Sequence, residues 1–313
     1  MVGGMDHVIE AHGLAKSFRG AEAVRGVDLA VAAGEIVGFL GPNGAGKTTT
    51  LRMLTTLLRP TAGTAVVAGR DLTADPANVR RRIGYVAQGG STNPACTVAQ
   101  ELLLQARLYR VPDPRARTEE LMERFGLTDR PIGSLSGGQK RRLDIALGIV
   151  HTPPLIFLDE PTTGLDTQSR AEVWHHIRRL RDERGTAVFL TTHYLDEADA
   201  LCDRILIIGQ GRIVGEGTPD ALKRRLSGDT VTVETDGDPR RARAALAGLD
   251  AVREVQVTDG TLRLTVEHGD RILLQLIRAL DAGGVEPRSV RLTRPTLDDV
   301  FLALTSSEVP HAA

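Results

Sequence analysis

The stretch "GPNGAGKTT", Gly41 to Thr49, follows an apolar run at Ile36–Leu40 and satisfies the spacing G-x-x-x-x-G-K-[ST]. Gly41, Pro42, Asn43, Gly44, Ala45 and Gly46 offer a backbone whose N–H groups can converge on phosphate oxygens, because glycine leaves room for close approach. Lys47 adds a point charge for the β and γ phosphates of a nucleotide. Thr48 adds a hydroxyl for Mg²⁺, and Thr49 continues the helix start. A second stretch, "LIFLDEP", sets Asp159 and Glu160 after four apolar residues. The first carboxylate can hold the shell of a divalent cation and the second can take a proton from water. A third run, "AVFLTTH", brings His193 to a comparable place. The fourth stretch, "LSGGQKRRLDIALGIV", starts a helix straight after Ser136, Gly137 and Gly138, with Gln139 following. A helix N-terminus preceded by glycines is a natural anion site. One chain therefore carries two phosphate-binding designs about ninety residues apart. Arg141 and Arg142, next in line, suit a solvated face or pairing with neighbouring residues better than direct phosphate contact.

Such side chains need strands that end at a common edge. "EIVGFLG", "LIFLDE", "AVFLTTH" and "RILIIG" are short continuous apolar runs, as expected of strands buried on both faces in a parallel sheet. Ligands of open α/β sheets bind beyond the carboxyl ends of such strands. Between Gln88 and Val150 the strand signal gives way to helical periodicity, with Val98, Leu102, Ala106 and Tyr109 on one stripe. That predicts a helical insertion over about 89–150.

After about residue 227 the pattern changes. Alternation at Val255 and Val257 and at Leu262, Leu264 and Val266 predicts two strands, with Asp259-Gly260 as their hairpin turn. Three segments have helical spacing: Ala242, Ala245, Leu246 and Leu249; Leu273, Leu276, Ile277 and Leu280; Leu297, Val300, Phe301 and Leu304. The order strand, helix, strand, strand, helix, strand makes residues 228–313 a small α+β domain of the ferredoxin-like kind, ending in one more helix.

Composition fits a globular protein of about two domains. The chain has 313 residues, 41% of them hydrophobic and 25% charged, and a net charge of −1. No basic field argues for nucleic acid, which is not expected as a partner. Cys96 and Cys202 form no CxxC pair, and the histidines show no zinc spacing. The first residues lack the basic and apolar regions of a signal peptide, and no apolar run reaches the ~18 residues of a membrane span. Work at a membrane would need spans from another chain.

The order of motifs resembles the ATP-binding subunit of ABC transporters, over residues 1 to about 227. The resemblance implies a P-loop NTPase core with ATP and Mg²⁺ as cofactors, and it assigns roles. Phe18, in "KSFRG", would stack on adenine. Gln88, in "GYVAQ", would touch Mg²⁺ beside Thr48 and Asp159. Glu160 would polarise the attacking water, and His193 would sense the γ-phosphate. Ser136, Gly137, Gly138 and Gln139 fall in the family signature "LSGGQ", and Asp166 in the loop that communicates across a dimer. Two subunits would pair head to tail, each signature helix capping the nucleotide held by the other chain. The end "RPTLDDVFLALT" is similar to the daunorubicin-resistance type, which serves exporters of drugs and natural products. It implies a separate multi-span permease and a place on the inner face of the cell membrane. Departures occur at Cys96, where relatives usually have leucine, and at "ELL" where they have "ENL", in a segment expected to face the permease. An amino-acid importer with a ligand-binding C-terminal domain is the alternative. No NKxD motif points to a GTPase, and no tandem unit or coiled coil points to translation or DNA repair.

Overall fold

The computed structural model describes residues 7–90, 92–225, 229–235, 239–246, 249, 252–258, 261–266, 269–294 and 296–306. It divides into two units, Met1–Thr218 and Pro219–Ser307. The break falls nine residues before the expected 227/228 boundary, because the short helix after Thr218 groups with the second unit.

The strands of the first unit are β1 (His7–Phe18), β2 (Ala21–Ala32), β3 (Ile36–Leu40), β4 (Ala62–Val67), β5 (Arg70–Asp71), β6 (Ile83–Val86), β7 (Leu155–Asp159), β8 (Ala187–Thr192), β9 (Arg204–Gly209) and β10 (Arg212–Gly217). Its helices are α1 (Lys47–Leu54), α2 (Pro76–Arg82), α3 (Val98–Leu108), α4 (Pro114–Arg124), α5 (Gly137–Gly148), α6 (Thr167–Arg184) and α7 (Leu195–Leu201). Six strands form one sheet in the order β10-β9-β3-β8-β7-β6. All neighbours are parallel except the β9–β10 hairpin. Every residue of β3, β7 and β8 is buried, the environment their unbroken apolar runs require.

A second sheet, β2-β1-β4-β5, is antiparallel and has no counterpart in the expectation of a single parallel sheet. Its alternation is hard to read because register shifts between Ala11 and Leu14, and again between Leu14 and Lys16, break the period of two. Ile9, Ala11 and Leu14 of β1 join Val24, Val27 and Val31 of β2 in one core with Phe39, Phe157 and Phe189 of the parallel sheet. Burial of these side chains is the main stabilising term for the unit, at about 25 cal/mol per Å² of apolar surface.

The insertion between Gln88 and Val150 is helical, as expected. Val98, Leu102 and Ala106 are its buried stripe on α3, with Tyr109 partly buried at the helix end. Thr97 starts α3 through a capping box with Gln100.

The second unit contains α8 (Pro219–Arg225), β11 (Asp229–Thr235), α9 (Pro239–Leu246), β12 (Val252–Thr258), β13 (Thr261–Val266), α10 (Gly269–Ala282), β14 (Pro287–Thr293) and α11 (Leu297–Ser306). The sheet order is β12-β13-β11-β14, with every neighbouring pair antiparallel. Val231, Val233, Leu262, Leu264 and Val266 meet Ala242, Leu246, Leu276 and Leu280 in its core. On α10 Ile272 joins Leu276 and Leu280 in the core, whereas Ile277 is exposed; the buried stripe is rotated slightly from the one the spacing suggested. The Asp259-Gly260 turn lies outside the described residues.

Candidate functional site

The carboxyl ends of β3, β8, β7 and β6 stand side by side in the parallel sheet, and each delivers one part of the site. Beyond β3, the chain turns through Gly41–Gly46 into α1. A Cβ at Gly41 would lie 2.5 Å from the carbonyl oxygen of Ile208, and one at Gly46 would lie 2.7 Å from that of Ala23. Gly46 also holds φ at 108°, so only glycine fits. No side chain caps α1, which leaves its first N–H groups facing the loop. Lys47 is buried, and its Nζ donates to the carbonyls of Gly41 at 2.5 Å and Pro42 at 3.1 Å. Burial lowers the Lys47 pKa, against the opposing pull of Glu160 and Asp159. Asn43, Gly44 and Thr48 are exposed.

Asp159 ends β7 and is 5% exposed; Thr191 Oγ1 donates to its Oδ1 at 2.6 Å. Glu160 follows in the left-handed region, φ 44°, unusual for a residue other than glycine. Its N–H donates to the carbonyl oxygen of Thr191 at 3.1 Å. Three side chains converge on its carboxylate. Gln88 Nε2 donates to Oε2 at 2.7 Å, Thr163 Oγ1 donates to Oε2 at 3.0 Å, and His193 Nδ1 lies 3.3 Å from Oε1. Gln88, Glu160 and His193 come from three different strand ends, and the fold brings them together.

Two contributors, Thr163 and Thr191, escaped the sequence reading, and Arg141 takes the neighbour-pairing alternative. Thr163 lies in a loop. Thr191 sits where an otherwise apolar strand changes to "TT", a signal that was available. Arg141 is 7% exposed and donates to three backbone carbonyls: Pro161 at 2.7 Å, Ala87 at 2.7 Å and Asp159 at 2.9 Å. It pairs with neighbours and not with solvent, fixing the segments beside Gln88 and Glu160. Arg142 donates to the Phe125 carbonyl at 3.1 Å.

The second phosphate-type feature is well formed. Ser136 caps α5: its hydroxyl accepts from the N–H of Gln139 at 3.3 Å, and Gln139 Oε1 accepts from the N–H of Ser136 at 3.0 Å. Arg130 also donates to that Oε1, at 2.5 Å. The two glycines differ. A Cβ on Gly138 would come within 2.6 Å of Ser169 Oγ, whereas one on Gly137 would meet nothing nearer than 3.6 Å. Gly138 therefore serves the contact between α5 and α6, and Gly137 leaves the helix tip open. Asp166 caps α6, accepting from the N–H of Ser169 at 2.8 Å and its hydroxyl at 2.9 Å. Those hydrogen bonds hold its carboxyl below the usual range.

Among the described residues, the hydrogen bonds of Ser136, Gln139 and Asp166 run to their own helices or to Arg130, not to the Gly41–Thr49 loop or to Glu160. Phe18, at the end of β1, is 46% exposed with Lys16 Nζ 5.3 Å from its ring centre. No three His, Cys, Asp or Glu side chains converge on a metal position among the described residues. The oxygen groups available, the Thr48 hydroxyl, the Asp159 carboxylate and the Gln88 amide, suit a hard cation that takes most of its ligands from water and phosphate.

Comparison with known proteins agrees with this geometry. Residues 24–163 match the ABC transporter family model, and residues 217–305 match the model of the C-terminal domain of DrrA1-3-like ATP-binding proteins. The chain is 46% identical to the daunorubicin/doxorubicin resistance ATP-binding protein DrrA of Streptomyces peucetius, covering 95% of this chain and 92% of that one. It is 33% identical to the linearmycin resistance ATP-binding protein LnrL of Bacillus subtilis, over 95% of this chain and 98% of the relative. Among solved structures, a dimeric post-hydrolysis ATP-binding cassette bound to ADP and Pi aligns with a TM-score of 0.61 at 25% identity, covering 67% of this chain and 98% of the other. A glycine-lined turn after β3, a carboxylate held from two neighbouring strand ends and near full-length likeness to DrrA together make this chain an ABC transporter ATPase subunit of the daunorubicin-resistance family.

Proposed function

We propose that the chain hydrolyses ATP to drive export of a hydrophobic drug, natural product or lipid through a separate permease chain. The observation that carries this reading is the grip of Gln88, Thr163 and His193 on Glu160, one strand end away from the Lys47 loop. Glu160 polarises the attacking water, and His193 and Lys47 meet the charge that develops on the γ-phosphate. The backbone of Gly41, Pro42, Asn43, Gly44, Ala45 and Gly46, with Thr49, surrounds the phosphates, and Phe18 stacks on the base. Thr48, Gln88 and Asp159 would hold Mg²⁺, which when bound neutralises phosphate charge. Lys47 is already buried, so its ammonium exchanges the Gly41 and Pro42 carbonyls for phosphate oxygens at low desolvation cost.

The α5 tip explains the second phosphate design. Ser136, Gly137, Gly138 and Gln139 of one subunit cap the nucleotide held by the other, head to tail, with Asp166 on the joint. The open surroundings of Gly137 support this, as does the dimeric form of the related cassette. No helix among the described residues is long and apolar enough to cross a membrane, so the permease supplies the spans and holds the subunit on the cytoplasmic face. Residues 228–313 form a ferredoxin-like domain, a reading supported by the strand order β12-β13-β11-β14.

The test is transport. Inverted vesicles carrying the chain with its co-purifying permease should accumulate a hydrophobic cationic drug on addition of ATP. The same vesicles with Glu160→Gln should not. Equal uptake by both would overturn the reading.

A further inference from the structure

Behind the reactive carboxylate lies a second one that no role above uses. Glu197, in α7, is 0% exposed. Its Oε1 accepts from Thr162 Oγ1 at 2.8 Å and from Trp174 Nε1 at 3.0 Å. Thr162 is itself buried and lies two residues after Glu160, in the loop that also contributes Thr163. Glu197 belongs to the helix that begins two residues after His193. The turn at His193 is closed by the Tyr194 N–H donating to Thr192 Oγ1 at 2.9 Å. Arg170 of α6 braces the same helix: its Nη2 contacts both Asp196 oxygens, at 3.0 and 2.9 Å, and its guanidinium lies 4.5 Å from the Tyr194 ring centre. A buried carboxyl is costly to place without purpose, since apolar packing could hold two helices together as well. This one shares its Oε1 between the loop that carries Glu160 and Trp174 of α6.

We propose that Glu197 is a positioning residue for ATP hydrolysis. By holding Thr162 it fixes the Glu160–Thr163 loop against the segment that carries His193, so that the Glu160 carboxylate and the His193 imidazole stay at 3.3 Å. The proposal rests on Glu160 and His193 forming the reaction centre. Burial raises the Glu197 pKa, so a neutral acceptor of the same shape should serve in its place.

The experiment is a double-mutant cycle on steady-state ATPase activity of the full-length chain, with Glu160→Gln measured alongside. Thr162→Val is nearly isosteric and removes the donor. It should lower kcat about tenfold while KM for ATP stays within about twofold, the mark of an interaction that matters in the transition state. Glu197→Leu should do the same, and the double variant should be no slower than the slower single variant. Glu197→Gln keeps a carbonyl for Thr162 and should retain most of the wild-type kcat, losing it when Thr162→Val is added. Far-UV circular dichroism and the melting temperature report that each variant is folded, since Trp174 itself touches Glu197 and its emission responds to the substitution directly. Wild-type kcat in Thr162→Val, or losses that multiply in the double variant, would overturn the tether. If Glu197→Leu fails to fold, the Glu197→Gln and Thr162→Val pair decides the question in the same way. Full ATPase activity in Glu160→Gln would instead sink the assignment of the site itself, whatever the tether does.

Discussion

Glu160 stands in a left-handed backbone conformation that costs a non-glycine residue on the order of 1 kcal/mol. The strain is met by N–H bonding to Thr191 and by three side-chain partners. Glu160→Gln keeps the shape and most of the hydrogen bonding but loses the base. ATP hydrolysis should fall by about 10²–10⁴ while ATP binding stays close to wild type, measured by turnover and by nucleotide titration. Phe18→Ala should weaken ATP binding roughly fivefold, the loss of about 1 kcal/mol of stacking; unchanged affinity would place the base elsewhere. At this scale Asp159, Glu160 and His193 were legible because each follows a continuous apolar run. Gln88 was legible only through family likeness. For Arg141 the sequence offered pairing with neighbours but not the partners, three backbone carbonyls that meet only in the folded chain.

Elements make the helix tip of α5 what it is. Gly138 faces Ser169 with no room for a methyl group, so Gly138→Ala must push α5 from α6 and should cost about 1–3 kcal/mol of stability in thermal unfolding. Gly137→Ala meets only ordinary contact distances, so its melting temperature should stay near wild type even if ATPase activity suffers. Asp166→Ala removes the cap of α6 and should cost about 1 kcal/mol. If both glycine variants melted alike, the division of labour between them would be wrong. The parallel strands announced themselves by their runs of Val, Ile, Leu and Phe, and the second unit by its alternation. The β1–β2 pair hid its period behind bulges, and α10 hid its phase because an apolar face as wide as Ile272–Leu280 fits more than one rotation.

The whole molecule carries its own pH dependence. His151 and His176 are held neutral by burial, each with a pKa lowered to about 4. Both stack on aromatic rings, His151 on Tyr109 and His176 on Phe125. The unfolded chain protonates both near 6.5 and the folded chain does not, so stability is full above 6.5 and is lost as pH falls toward 4. Asp144 acts in the opposite sense. Burial raises its pKa to about 6 despite Arg141, so the folded chain keeps a proton that the unfolded chain releases near 3.8. Two histidines outweigh one carboxyl. Lowering pH from 7 to 5 should reduce the melting temperature, with on the order of 1 kcal/mol lost per histidine after solvent screening. His176→Phe should flatten that slope; an unchanged slope would mean His176 is not neutral in the fold. The proposed assembly encloses each ATP between the loop of one subunit and the α5 tip of another. The most direct measurement is ATPase activity per chain as a function of protein concentration, with Ser136→Arg as the control that blocks the tip. Specific activity should climb steeply with concentration before reaching a plateau, and Ser136→Arg should abolish it at every concentration. A specific activity that stays constant on dilution, or survives Ser136→Arg, would contradict a shared site.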